Sequence, residues 1–198
     1  MYHIKNDKRS IQSSEWLYEA LKQLMREKKF SQINVTEVVT KAKLGRSTFY
    51  RNFDTLEDVL HYKADEAYAL CGQHLIKTIF EMARSSDENK SAQRLFFLPF
   101  FKYWYYNFEI IELLISAKRE DILKHAFVKM VDDLRGEYPE IDIAHYDYFI
   151  EMRAAVSIAL LSQWVKTNRQ ESPENLYDIF QHQMEIDKYL LKMAEQYN

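Results

Sequence analysis

The stretch Ala42-Lys43-Leu44-Gly45-Arg46-Ser47-Thr48-Phe49-Tyr50-Arg51-Asn52-Phe53 carries two signals at once. Lys43-Leu44-Gly45 interrupts one helical run, and the residues from Arg46 restart it. Phe49 and Phe53 stand about one helical turn apart, so both can face a core. The same turn places Arg46, Ser47, Thr48, Tyr50, Arg51 and Asn52 outward, a surface built almost wholly of hydrogen-bond donors.

Upstream, Asn34-Val35-Thr36-Glu37 reads as a capping box that opens a short helix over 35–42. Before it, Leu17, Ala20, Leu21, Leu24 and Met25 fall on one face of a helix over 10–28, and Phe30 and Ile33 continue the apolar series. Phe49 and Phe53 are expected to pack on Leu17, Leu21, Val38 and Leu44. Two short helices joined by a three-residue turn make a helix-turn-helix. In such a unit the second helix enters the DNA major groove and the first crosses the backbone. The expected DNA-contacting residues on the second helix are therefore Arg46, Ser47, Thr48, Tyr50, Arg51 and Asn52. The fork of Arg46 matches guanine O6 and N7, Thr48 suits a thymine methyl, and Tyr50 and Asn52 suit phosphates.

From Leu17 to Leu60, and above all over Ala42-Lys-Leu-Gly-Arg-Ser-Thr-Phe-Tyr-Arg-Asn-Phe-Asp-Thr-Leu-Glu-Asp-Val-Leu60, the chain resembles the N-terminal domain of the TetR family of repressors. The resemblance implies an all-α fold, with a three-helix head on a larger helical domain for dimerisation and effector binding. It assigns a clamp role to Tyr50 and a groove-facing role to Arg46, Ser47 and Thr48, with phosphate contact near Thr36, which adds Asn34, Thr36 and Lys43 to the expected DNA-binding residues. Two positions depart from the family pattern. Lys43 stands where glycine is usual in the turn, and Leu56 stands where the fourth helix usually starts with lysine. A non-glycine residue at positive φ costs roughly 1–2 kcal/mol, so either the turn differs or added charge near DNA offsets the strain. Lys5, Lys8 and Arg9 in an N-terminal arm are candidates to replace the lost phosphate contact.

Charge is divided along the chain. Residues 1–53 hold 11 Lys+Arg against 5 acids, whereas the remainder holds 16 against 25, within a net charge of −3. A basic head on an acidic body fits a phosphate-binding module joined to a domain that does not bind nucleic acid; chance clustering on solvated faces is the plainer alternative. The expected division is a DNA-binding domain at 1–54 and a regulatory domain at 55–198.

The second part begins with Asp54-Thr55 as a fresh N-cap for a long amphipathic helix to about 83. A polar loop follows at 85–91. Helices are expected over 95–108, entered or kinked at Pro99, and over 109–117, 121–136, 144–167 and 173–196, with Gly136, Pro139 and Ser172-Pro173 as boundaries. The aromatic run suggests a pocket for a small, partly apolar effector, with Phe97, Phe101, Tyr103, Trp104, Tyr105, Phe108 and Trp164 as candidate lining; core filling is the alternative. Small residues in the 144–167 helix suit close packing between subunits. Ala155, Ile158, Leu161, Ile179, Met184 and Leu190 are the candidate dimer contacts, in a four-helix bundle with the symmetry mates; monomer core is again the alternative. From Tyr148 onward these last two helices resemble those of Firmicutes TetR-like regulators.

Other chemistry finds little support. No window approaches the roughly 18 apolar residues of a membrane span, and residues 1–10 lack the apolar core of a signal peptide. A single cysteine, Cys71, fits a reducing cytoplasm. Three scattered glycines rule out a glycine-rich phosphate loop, and six histidines lack metal-binding spacing. No catalytic residues, metal or cofactor are expected. The expected protein is a bacterial, cytoplasmic and nucleoid-associated homodimer on a pseudo-palindromic duplex operator, a repressor released by a small-molecule effector. The alternative is an activator or nucleoid-associated interaction protein whose body binds a partner protein.

Overall fold

The computed structural model describes residues 1–84, 92–137 and 144–182. Nine α-helices lie among the described residues: α1 (Lys8–Glu27), α2 (Val35–Lys41), α3 (Arg46–Asn52), α4 (Leu56–Arg84), α5 (Ala92–Tyr106), α6 (Glu109–Ser116), α7 (Glu120–Gly136), α8 (Tyr146–Lys166) and α9 (Pro173–His182). The all-α expectation holds. The expected loop at 85–91, the boundary at Pro139 and the helix beyond His182 lie outside the described residues.

By contacts the chain falls into two compact units. The first comprises Met1–Leu70 and Glu109–Ile143, and the second Cys71–Phe108 and Ala144–Asn198. The division expected after residue 54 falls inside the first unit, which takes in the first part of α4 together with α6 and α7. Lys22 pairs with Glu109 at 3.4 Å, Arg119 with Glu57, and Lys129 with Asp65. Tyr68 and Phe127 add an edge-to-face ring contact at 6.4 Å.

In the first unit, Asp7 caps α1 by accepting from the amides of Arg9 and Ser10. The stripe Leu17, Ala20, Leu21 and Leu24 is buried as the spacing predicts. Asn34 and Glu37 form the expected capping box at the start of α2. A second box opens α4: the Thr55 hydroxyl accepts from the Asp58 amide at 3.3 Å, and the Asp58 carboxylate accepts from the Thr55 amide at 2.8 Å.

In the second unit α5 packs on α9, and α8 also meets α9. Helix α5 continues through Pro99 rather than beginning there. Its aromatic residues explain the packing. Phe97 lies against Phe180 with ring centroids 4.1 Å apart, Phe101 meets Phe180 at 5.8 Å, and Tyr105 lies beside Trp164 at 5.7 Å. The guanidinium of Arg153 stands 5.1–5.5 Å from the rings of Phe97, Phe149 and Phe180, a cation–π arrangement. Burial pushes its pKa below the ordinary arginine value.

Candidate nucleic-acid interface

The turn between α2 and α3 is a Schellman motif. Leu44 N–H donates to the Val39 carbonyl at 2.9 Å, and Lys43 N–H donates to the Thr40 carbonyl at 3.1 Å. Lys43 holds the left-handed position, with φ of 55°. Gly45 is extended at φ −87° and begins α3. The turn therefore keeps the geometry that usually takes glycine, and a lysine carries its strain.

Helix α3 is fixed from beneath by Phe49 and Phe53, both fully buried with ring centroids 5.8 Å apart. Its outward side has two strips. Arg46, Ser47 and Tyr50 form the first and are exposed. Tyr50 rests edge-on against Phe49 at 5.4 Å, which fixes its ring while the side chain stays open. The Arg46 guanidinium donates to the Thr36 hydroxyl, so the starts of α2 and α3 are joined. Nearby, Lys28 hydrogen-bonds Glu37; this contact first, and the Asn34 amide second, hold the Glu37 carboxyl below the usual glutamate range.

Thr48 and Arg51 form the second strip, and at Asn52 beside them one expectation is corrected. Asn52 is not an outward phosphate clamp: it is 1% exposed. Its carboxamide donates to the Ser13 hydroxyl at 3.0 Å and accepts from the Ser10 hydroxyl at 2.8 Å. Inward-facing serines on α1 explain the inversion. Ser10 and Ser14 continue the stripe of Leu17 and Leu21 toward the start of α1, with Ser13 beside them, and all three are buried. Their oxygens require partners, and Asn52 supplies two. Serines recurring at helical spacing just before an apolar stripe were the available signal.

The N-terminal segment lies along this unit. Tyr2 and Phe53 form an isolated antiparallel bridge, and His3 N–H donates to the Asn52 carbonyl at 2.7 Å. Tyr2 Oη donates to Asp65 at 2.6 Å. Lys8 and Arg9, expected in an arm, belong instead to the first turn of α1. A cleft of about 540 Å³ lies between that turn and α3, lined by Lys5, Asp7, Arg9, Ser10, Ser13, Thr48, Arg51 and Asn52.

No family model matches the chain, and no curated protein shows significant similarity to it. Solved structures do. A Listeria innocua protein superposes with a TM-score of 0.68 at 16% identity, covering 95% of this chain and 96% of its own. A TetR transcriptional regulator from Streptococcus agalactiae matches at 0.55 and 22% identity, over 87% and 93% of the two chains. The fold is that of the TetR-family regulators. A Syntrophomonas wolfei protein described as a TetR-family regulator gives 0.52 at 14% identity, over 85% of this chain and 91% of that one.

Within this TetR-like fold the other candidate residues divide. Asn34, Thr36, Lys43 and Arg51 are exposed on the first unit, and Thr48 is half-buried. Of the aromatic candidates, Phe97, Phe101, Trp104 and Trp164 are buried against other rings. Tyr105 is exposed and Phe108, half-buried, lies under the guanidinium of Arg169. Only Tyr103 of the seven lines the open groove of about 490 Å³ between α4 and α5, with His74, Leu98, Pro99, Lys102 and Tyr106. Of the dimer candidates, Ile158 and Leu161 face inward, because the exposed side of α8 carries Tyr148, Met152, Ala155 and Ala159. Ile179 is exposed on α9, while Met184 and Leu190 lie outside the described residues. No helix among the described residues is long and apolar enough to cross a membrane, and none of their His, Cys, Asp and Glu side chains cluster as a metal site.

Proposed function

We propose that the chain is a sequence-specific transcription regulator that binds duplex DNA, and a binding protein rather than an enzyme. The observation that carries this reading is the pairing on α3 of a fully buried Phe49 with an exposed strip of Arg46, Ser47 and Tyr50. A short helix packed so firmly, with donors turned to solvent, suits insertion into a major groove. Residues 1–54 are the DNA-binding part, Arg46 reads a base edge, Tyr50 clamps phosphate, and residues 55–198 regulate.

The regulator acts as a homodimer on a pseudo-palindromic operator, with half-sites about 34–36 Å apart. Support comes from the apolar exposed face of α8, where Tyr148 and Met152 are 76% and 64% exposed, with Ala155 and Ala159 allowing close approach and Ile179 standing on α9. In this reading the protein is a cytoplasmic repressor, released when a small, partly apolar effector occupies the groove beside Tyr103. Release requires the effector to favour one dimer geometry over the other.

Genome-wide footprinting tests the reading directly. One or two palindromic sites near the chain's own gene support it, and a thermal-shift screen of metabolites then searches for the effector. Failure to retain any duplex, or many scattered sites without a shared sequence, overturns sequence-specific regulation.

A further inference from the structure

The cleft between the first turn of α1 and α3 joins residues that lie far apart in sequence. Lys5 and Arg9 stand on one side and Arg51 on the other, and all three are exposed. None of the three forms an ion pair among the described residues, whereas Lys22, Lys28, Lys41, Lys63 and Lys129 of the same unit do. Three cations against a single carboxylate leave this concavity with a local positive potential. The one acid at the rim, Asp7, has its carboxylate turned to the amides of Arg9 and Ser10, at 3.0 and 2.9 Å, where it caps the helix. Those amides are thus already used, and an anion entering the cleft would meet side-chain cations.

The floor is rigid. Asn52 is bonded to both Ser10 and Ser13, and Ser10 Oγ also accepts from the Lys5 amide at 3.1 Å. This network fixes the spacing between α1 and α3 and carries the backbone of Lys5 with it. The position of Arg51 on α3 decides what the cleft faces. One strip of α3 carries the proposed base-reading residues, and Thr48 and Arg51 stand on the neighbouring strip beside the cleft. A sugar–phosphate strand bordering a groove that holds α3 would run along this side.

We infer that this cleft seats a phosphodiester group of the duplex backbone, held by Lys5, Arg9 and Arg51, with the Thr48 hydroxyl as a further donor. The assignment rests on the DNA-binding reading. It adds sequence-independent affinity and fixes the angle at which α3 enters, without reading bases.

Fluorescence anisotropy on a footprinted operator and on a random duplex, across a salt series, tests it with the full chain. Each neutralised phosphate contact should lower the slope of log K against log salt by about 0.9. Lys5→Ala, Arg9→Ala and Arg51→Ala should each weaken both duplexes by a similar factor, and the triple variant, which removes the one phosphate contact, should reduce the slope by about 0.9. Lys8→Ala, an exposed lysine on the same helical turn outside the cleft, should change the slope less than any of them. An unchanged slope in the triple variant, with Arg46→Ala still reducing discrimination between duplexes, overturns the cleft assignment and leaves the DNA-binding reading standing. A wild-type chain that binds no duplex overturns both. Inorganic pyrophosphate separates the other source of phosphate: saturable micromolar binding to the DNA-free chain, lost in the triple variant, would make the cleft a site for a free anion and overturn the backbone assignment.

Discussion

The Asn52 carboxamide donates to the Ser13 hydroxyl at 3.0 Å inside the first unit, tying the last residue of α3 to the first turns of α1. An exposed donor would be free to meet DNA, whereas this one sets where α3 lies. Asn52→Ala leaves the Ser10 hydroxyl without its acceptor in a buried site. The expected loss is about 1–3 kcal/mol, at roughly 2–4 °C of Tm per kcal/mol for a chain of this size. Calorimetry of the variant checks it, and an unchanged Tm would show that the network contributes nothing.

Arg46 and Tyr50 should separate specificity from affinity. Arg46→Ala should cost about 1–3 kcal/mol at one base position and flatten discrimination there. Tyr50→Ala should weaken all duplexes alike. Both side chains are exposed, so melting temperatures should stay near wild type. Binding assays on a set of single-base operator variants distinguish the two patterns; identical profiles for the two substitutions would count against the proposed docking.

Lys43 offers a stabilising substitution. Its φ of 55° costs a side-chain-bearing residue roughly 1–2 kcal/mol that glycine escapes, while glycine gives back up to about 1 kcal/mol through the unfolded chain. Lys43→Gly should therefore raise stability by up to about 1 kcal/mol, read by urea denaturation. If the lysine also meets DNA, the same variant should bind duplex less tightly despite its added stability.

The exposed face of α8 should decide assembly. Met152→Glu or Ala155→Glu places a carboxylate where the proposed partner helix packs, and an unpaired buried charge is strongly unfavourable. Light scattering should show monomers, and operator affinity should fall at least tenfold, equivalent to about 1.4 kcal/mol. Leu161→Ala, in contrast, should destabilise the protomer itself, since Leu161 is fully buried.

Acid should weaken the first unit through His61. Burial first, then the positive charges of Arg119 and His125, lower its pKa from the ordinary 6.5, against the opposing pull of Asp65 and Asp121. The unfolded chain thus takes up this proton more readily than the folded one. The stability tied to neutral His61 is complete above about pH 6.5 and declines as pH falls through the depressed folded value. Thermal melts between pH 7.5 and 5 should show this decline, and His61→Gln should lessen it; an equal decline in the variant would assign it to other groups.

The sequence alone determined the helices and the buried face of α3. Helical period and capping are local properties, set by residues within a turn of one another, so Asn34 with Glu37 and Phe49 with Phe53 were legible without coordinates. Only tertiary structure decided which polar residues face inward. Asn52 looks outward on a helical wheel and is buried because Ser10 and Ser13, some forty positions away, need its hydrogen bonds. The aromatic run was legible as apolar, but only tertiary structure decided that Phe97 and Phe101 of α5 lie against Phe180 of α9. The cleft of Lys5, Arg9 and Arg51 was invisible for the same reason. Charge in a sequence is a sum, whereas a field that attracts a phosphate depends on which cations folding brings together and which acids it turns away.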